Sequence, residues 1–158
     1  MISAEIPDWS REEATHFWEP GKKLLRSIRR YQHWQTKGWF GRLLCKPIVL
    51  RHRFWSIVTG ADIPLTCQIG GGLLIPHPNG IVISPSAVIG VNCLIFQQVT
   101  IGTRRGGGAP IIEGHVDIGA GAKILGPVTI AAHSEIKANS VVTHGAEDAR
   151  HKAGSVLA

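Results

Sequence analysis

The stretch Ile83-Ser84-Pro85-Ser86-Ala87-Val88-Ile89-Gly90-Val91-Asn92-Cys93-Leu94-Ile95-Phe96-Gln97-Gln98-Val99-Thr100-Ile101 places an isoleucine at every sixth position. The same phase runs back through Ile75, Ile69 and Ile63. It runs forward through Ile112, Ile118, Ile124, Ile130, Ile136 and Val142. Small or β-branched residues often fill the fourth place after an anchor: Cys67, Ala87, Cys93, Val99, Val116, Ala122, Val128, Ser134 and Ser140. A helix face repeats every 3.6 residues or so and a half-buried strand every second residue, so neither holds this phase. Three short strands, each turning one anchor inward, make a triangular coil of about 18 residues. Thirteen such hexapeptides give a little over four coils. Parallel strand pairing sets a rise of about 4.8 Å per coil.

The phase breaks twice. Eight residues separate Ile75 from Ile83, a two-residue insertion within Pro76-His77-Pro78-Asn79-Gly80. Eleven separate Ile101 from Ile112, a five-residue excursion between Thr103 and Pro110. Loops that leave a rigid solenoid are where binding and catalytic groups gather.

Residues before Gly60 read as helical. Gly21–Thr36 and Gly41–Thr59 carry helical patterns, the second expected to break at Pro47. Arg11–Trp18 is predicted as a short helix, capped by Ser10 with Glu13 completing a capping box. Together they form a cap over the open end of the coil, which otherwise exposes unpaired strand edges. The expected organisation is therefore a basic helical segment over 1–60, the coil over 61–145, and a tail over 146–158.

The net charge of +6 is uneven. Ten Lys or Arg and no Asp or Glu lie between Gly21 and Gly60, whereas six of each sign cancel over 61–158. This basic segment, with Trp34, Trp39 and Trp55, has two readings. The aromatics pack the cap against the coil, the favoured one, or the segment touches an anionic membrane surface. No nucleic-acid motif accompanies the charge. Cys45, Cys67 and Cys93 are odd in number and widely spaced, which fits a reduced cytoplasmic setting rather than a disulfide framework. Cys67 and Cys93 fall at inward positions and read as buried filler. The N-terminus lacks the apolar stretch of a secretory signal, and no run of 18 apolar residues occurs.

The stretch from Gly60-Ala61-Asp62-Ile63-Pro64 to Val142 resembles the serine acetyltransferases of the hexapeptide-repeat acyltransferase superfamily. The likeness is carried also by His77 with Gly80-Ile81-Val82-Ile83, by Gln97-Gln98-Val99-Thr100-Ile101-Gly102, and by Ile118-Gly119-Ala120-Gly121-Ala122-Lys123-Ile124-Leu125-Gly126. It implies a mainly β fold, the left-handed parallel β-helix, and an acetyl-CoA-dependent O-acetyltransferase acting without an acyl-enzyme. By that resemblance His77 is the catalytic general base and Asp62 orients it. By spacing, His77 lies on the face of Asp62 one coil further on, and its offset of 15 residues rather than 18 is one that two side chains and a bulged loop bridge. A histidine that titrates near neutrality suits deprotonation of a hydroxyl, and a carboxylate fixes its tautomer. The resemblance also implies a homotrimer with acetyl-CoA in grooves between subunits. Gly102, Thr103, Ala120, Lys123 and Ala138 are carried over as cofactor-binding positions, and no metal is expected.

Two positions depart from the family. Pro76 stands where an aspartate usually holds the serine amino group, and Gly108-Ala109-Pro110 replaces Arg-His-Pro in a shorter protruding loop. Arg104 and Arg105 are the candidates left to hold a substrate carboxylate. A buried amino acid needs both charges paired, so the losses turn the expected acceptor from L-serine toward a sugar hydroxyl. The tail lacks the C-terminal isoleucine used to dock the next enzyme of cysteine synthesis. A non-catalytic trimeric scaffold is the alternative function, and a peripheral position at the inner membrane face the alternative to a freely cytoplasmic one. His115 and His133, 18 residues apart, should stack on adjacent coils beside Asp117 and Glu135, without a third histidine for zinc.

Overall fold

The computed structural model describes residues 2–105 and 107–143. Among these residues eleven short strands wind into a parallel solenoid of about four turns: β1 (Gln68–Ile69), β2 (Val82–Ile83), β3 (Val88–Ile89), β4 (Leu94–Ile95), β5 (Thr100–Gly102), β6 (Ile111–Ile112), β7 (Asp117–Ile118), β8 (Lys123–Leu125), β9 (Thr129–Ile130), β10 (Glu135–Ile136) and β11 (Val141–Val142). They stack into three faces. The first runs β2-β5-β8-β11 and is extended by a bridge from Asp62 to Val82; the second runs β1-β3-β6-β9. The third runs β4-β7-β10, extended by a bridge from Leu74 to Leu94. This is the β-helix that the repeat predicts.

The anchors form the axis of the core. Register puts Ile83 on Ile101 and Ile124, Ile89 on Ile69 and Ile112, and Ile95 on Ile118. Every anchor from Ile63 to Ile130 is buried, while Ile136 and Val142 are partly covered. Removing such a side chain from water contributes about 1.5–3 kcal/mol. The filler positions Cys67, Ala87, Cys93, Val99, Val116 and Ala122 are wholly inaccessible, as expected of them.

Two of the three edges turn through left-handed backbone on successive turns, and the third does so at Gly107, Gly108 and Gly126. Gly60, Gly80, Gln98, Gly121 and Asn139 make one column with φ between 59° and 75°. Gly72, Asn92, His115 and His133 make the other. Side chains other than glycine are uncommon in this region, and asparagine tolerates it best. Gly121 shows why the residue matters: a Cβ there would lie 2.2 Å from Asn139 Oδ1.

Two helices, α1 (Pro20–Gln35) and α2 (Gly38–Thr59), form the cap. α1 lies against the first turn through Leu24, Leu25 and Ile28, all buried. At Gly21 a Cβ would sit 2.7 Å from the Ile75 carbonyl oxygen, so only glycine allows this approach. The unpaired edge of the first turn is answered by side chains. Arg29 donates to the carbonyls of Ile69 and Gly70, and Gln32 to those of Leu65 and Cys67. Glu12 accepts from the amides of Gly72 and Leu73 and pairs with Arg29 at 2.8 Å. Leaving these backbone groups dry and unpaired would cost free energy at each one.

The cap differs from expectation in two places. The helix predicted over Arg11–Trp18 is a single 3-10 turn, Trp9–Glu12, capped by Asp8 rather than Ser10. Glu13 ends the turn instead of completing a capping box, because Glu12 is drawn to the coil and to Arg29. Before it, Ser3 to Asp8 run along the coil, held by Asn92: its amide donates to the carbonyls of Ser3 and Ile6 and accepts from Asp8 N–H. α2 passes through Pro47 unbroken. The carbonyl that loses a partner is that of Leu43, on the exposed side of the helix.

Candidate active site

The insertion that carries His77 lies at the edge where the third face turns into the first. From Asp62 the chain makes one full turn and closes on itself where Gly80 N–H donates to the Gly60 carbonyl at 2.9 Å. Asp62 leads the first face just beyond that edge, with its amide on the Ile81 carbonyl. Both side chains are exposed. The winding thus brings the two candidates to one side of the coil a turn apart, although among the described residues no hydrogen bond or ion pair joins them. Asp62 also lies within electrostatic reach of another imidazole. His52, on α2, is buried and shares a 2.9 Å hydrogen bond with Ser27 Oγ. Burial pushes its pKa below 6.5, opposed by the Ile63 carbonyl and by the Asp62 carboxylate. Nothing in the sequence pattern singles out His52, because its neighbours are set by how α2 crosses α1.

The edge continues upward from His77. Gln98 N–H donates to Asn79 O, Gly121 N–H to Gln97 O, and Asn139 N–H to Ala120 O. Ala120 and Ala138 therefore share the edge of His77 on later turns. Gln97 joins them without having been assigned a role: its Oε1 is buried with no hydrogen-bond partner among the described residues. A lone buried acceptor is the signal a sequence cannot display.

Gly102, Thr103, Arg104 and Arg105 lie elsewhere, at the edge between the first and second faces. Arg104 and Arg105 are exposed. The width of the first face separates this edge from His77 within one chain, so the arginines and the histidine do not converge there. At Gly102 a Cβ would meet only side chains, at 3.5 Å and beyond, which leaves its backbone open to an extended ligand. Lys123 points outward on the first face, above Val82 and Thr100, and donates to the Gln98 carbonyl. Open clefts of about 490 and 540 Å³ lie on the helical side, lined by Gln32 and Gln68 in one and by Trp9, Lys22 and Arg26 in the other. Neither contains His77.

The Cys67 and Cys93 thiols are poor nucleophiles. Burial pushes Cys67 up to about 12, with Asp62 adding to the effect, and burial raises Cys93 as well. His115 and His133 stack as their spacing predicts, Nδ1 to Nδ1 at 2.7 Å, above the pairing of Asp117 with Glu135. Among the described residues no group of three or more histidine, cysteine or carboxylate side chains is placed to hold a metal ion.

No family model matches the chain. It is 37% identical over 126 residues to a serine acetyltransferase of Synechococcus elongatus, covering 78% of this chain and 50% of that protein. It is 39% identical over 116 residues to one of Mycobacterium tuberculosis, covering 72% and 49%. Among solved structures, serine acetyltransferase isoform 3 of Entamoeba histolytica in complex with cysteine superposes with a TM-score of 0.68 at 32% identity, over 82% of this chain and 45% of that one. A serine acetyltransferase in complex with CoA superposes at 0.67 and 29% identity, over 82% and 52%. The chain spans about half the length of the curated relatives it matches.

Proposed function

We propose that this chain, which belongs with the serine acetyltransferases among the hexapeptide-repeat β-helix proteins, transfers acetyl from acetyl-CoA to the hydroxyl of a small acceptor. The observation that carries the reading is His77, raised on an insertion at the edge it shares with Asp62, Ala120 and Ala138, in a coil similar to one solved with CoA. In the reaction, a His77 ring nitrogen takes the hydroxyl proton as the oxygen attacks the thioester carbonyl carbon. Asp62 orients the ring and favours the imidazolium. The carbon–sulfur bond then breaks, and the thiolate leaves with that proton as the free thiol. Such base catalysis contributes about 10²–10⁴-fold.

Acetyl-CoA lies along stacked turns where Gly102, Thr103, Ala120 and Ala138 leave the backbone approachable, with Lys123 beside them. A homotrimer unites the two separated edges, the Arg104 and Arg105 loop of one chain facing the His77 edge of the next. Pro76 and Ala109 remove both usual clamps for an amino acid, which favours a sugar hydroxyl over L-serine as acceptor. The free cysteines agree with work in the cytoplasm.

The test is thiol release from acetyl-CoA, screened over L-serine and sugars bearing free hydroxyls. His77→Ala should lower the rate of the active pair by about 10²-fold or more, with acetyl-CoA binding retained in calorimetry. Release unchanged in His77→Ala removes the base. Absence of acetyl-CoA binding removes the enzyme and leaves a trimeric scaffold.

A further inference from the structure

The exposed face of α2 is built the wrong way round for a helix in water. Its buried residues are small or polar: Gly41, Cys45, His52 and Thr59. Its large apolar side chains point outward: Trp39 is 78% exposed, Leu50 71% and Ile57 83%, with Phe40, Leu43 and Phe54 above 50%. Phe40, Leu43, Pro47, Leu50, Phe54 and Ile57 alternate spacings of three and four, so they line up as one stripe. At a rise of about 1.5 Å per residue the stripe is roughly 25 Å long. The packing expected of the aromatics is met by Trp55, which lies against the core, and overturned by Trp39.

The charge beside the stripe selects its occupant. Arg42, Lys46 and Arg53 flank one side and Arg51 the other, all exposed, and α2 contains no acidic residue. A second copy of α2 would bring these cations against their equals. An anionic lipid surface neutralises them while its acyl boundary takes the apolar side chains. Exposed aromatic rings stand near both ends of the helix, Trp39 with Phe40 at one and Phe54 and Trp18 at the other, where such rings favour an interface. No helix of the described residues is long and apolar enough to cross a membrane, so α2 lies along the surface.

We infer that α2 docks the protein on anionic membranes, its stripe from Phe40 to Ile57 lying in the headgroup boundary and its cations on the phosphates. The inference does not rest on acetyl transfer. The test is sedimentation of the full chain with vesicles of phosphatidylcholine, with and without phosphatidylglycerol. The anionic vesicles should bind at least about tenfold more protein, and added salt should reduce it. The double variant Leu50→Glu with Phe54→Glu should lose binding while keeping its helical circular dichroism. Lys46→Glu with Arg53→Glu, which leaves the stripe intact, should weaken it. Equal binding to both vesicles, or binding untouched by either variant, overturns the inference. So does failure to bind either vesicle. A fall in the protein's own oligomeric size in Leu50→Glu with Phe54→Glu, without vesicle binding, assigns the stripe to a second copy instead.

Discussion

The coil and α2 spend their large aliphatic side chains in opposite directions. In the coil, isoleucine at each sixth position faces the axis and is covered by the turns on either side. On α2, leucine, isoleucine and phenylalanine face outward while Gly41, Cys45 and His52 face α1. Both patterns are periodic, so periodicity alone does not say which side is the inside. What decides is closure. Three faces of a solenoid enclose whatever points inward, whereas a helix laid over one end of it has a near side and a far side.

The contrast can be broken by removing the same kind of side chain from each region. Ile118→Ala in the third face should cost about 2–5 kcal/mol in urea unfolding, since rigid turns cannot close over the gap. A value below about 1 kcal/mol would mean that the axis is loosely packed. The seam between the regions comes next. Arg29→Met strands the Ile69 and Gly70 carbonyls and leaves Glu12 without its partner, so a loss of about 2–4 kcal/mol is expected. A smaller effect follows from pH. His52 has its folded-state pKa lowered from 6.5, so the unfolded chain takes up that proton first. Its contribution is present above pH 6.5 and is lost as the pH falls below it, and His52→Gln should flatten that slope in thermal melts. Smallest of all, Ile57→Ala on the far side of α2 should change stability by no more than about 0.5 kcal/mol. A large loss there would mean that the exposed stripe is part of the core after all.

The coil was legible because its rule is local and repeated: one missing anchor leaves twelve others in phase. The loop at His77 and the turn that returns it to the side of Asp62 followed from counting. The helix predicted at Arg11 failed because a long-range partner outweighed a local cap. Glu12 is claimed by amides some sixty residues away, and no spacing within Ser10 to Trp18 records that. The docking of Ser3 to Asp8 on Asn92 was hidden for the same reason. Gln97 escaped notice because what marks it is a partner it lacks. The tail from 146 onward, with the doubt it raised about docking another enzyme, lies outside the described residues.

The register of the first face has one more consequence. Val82 pairs with Thr100 eighteen residues on, and Thr100 with Lys123 twenty-three on, yet each pair sits squarely one above the other. The solenoid indexes its contents by storey and is indifferent to how much chain is looped out on a landing. The stretch between Gly102 and Ile111 is therefore free to vary in length while the storeys keep their heights. Such a balcony is lengthened or shortened without rebuilding the stairwell that holds it up.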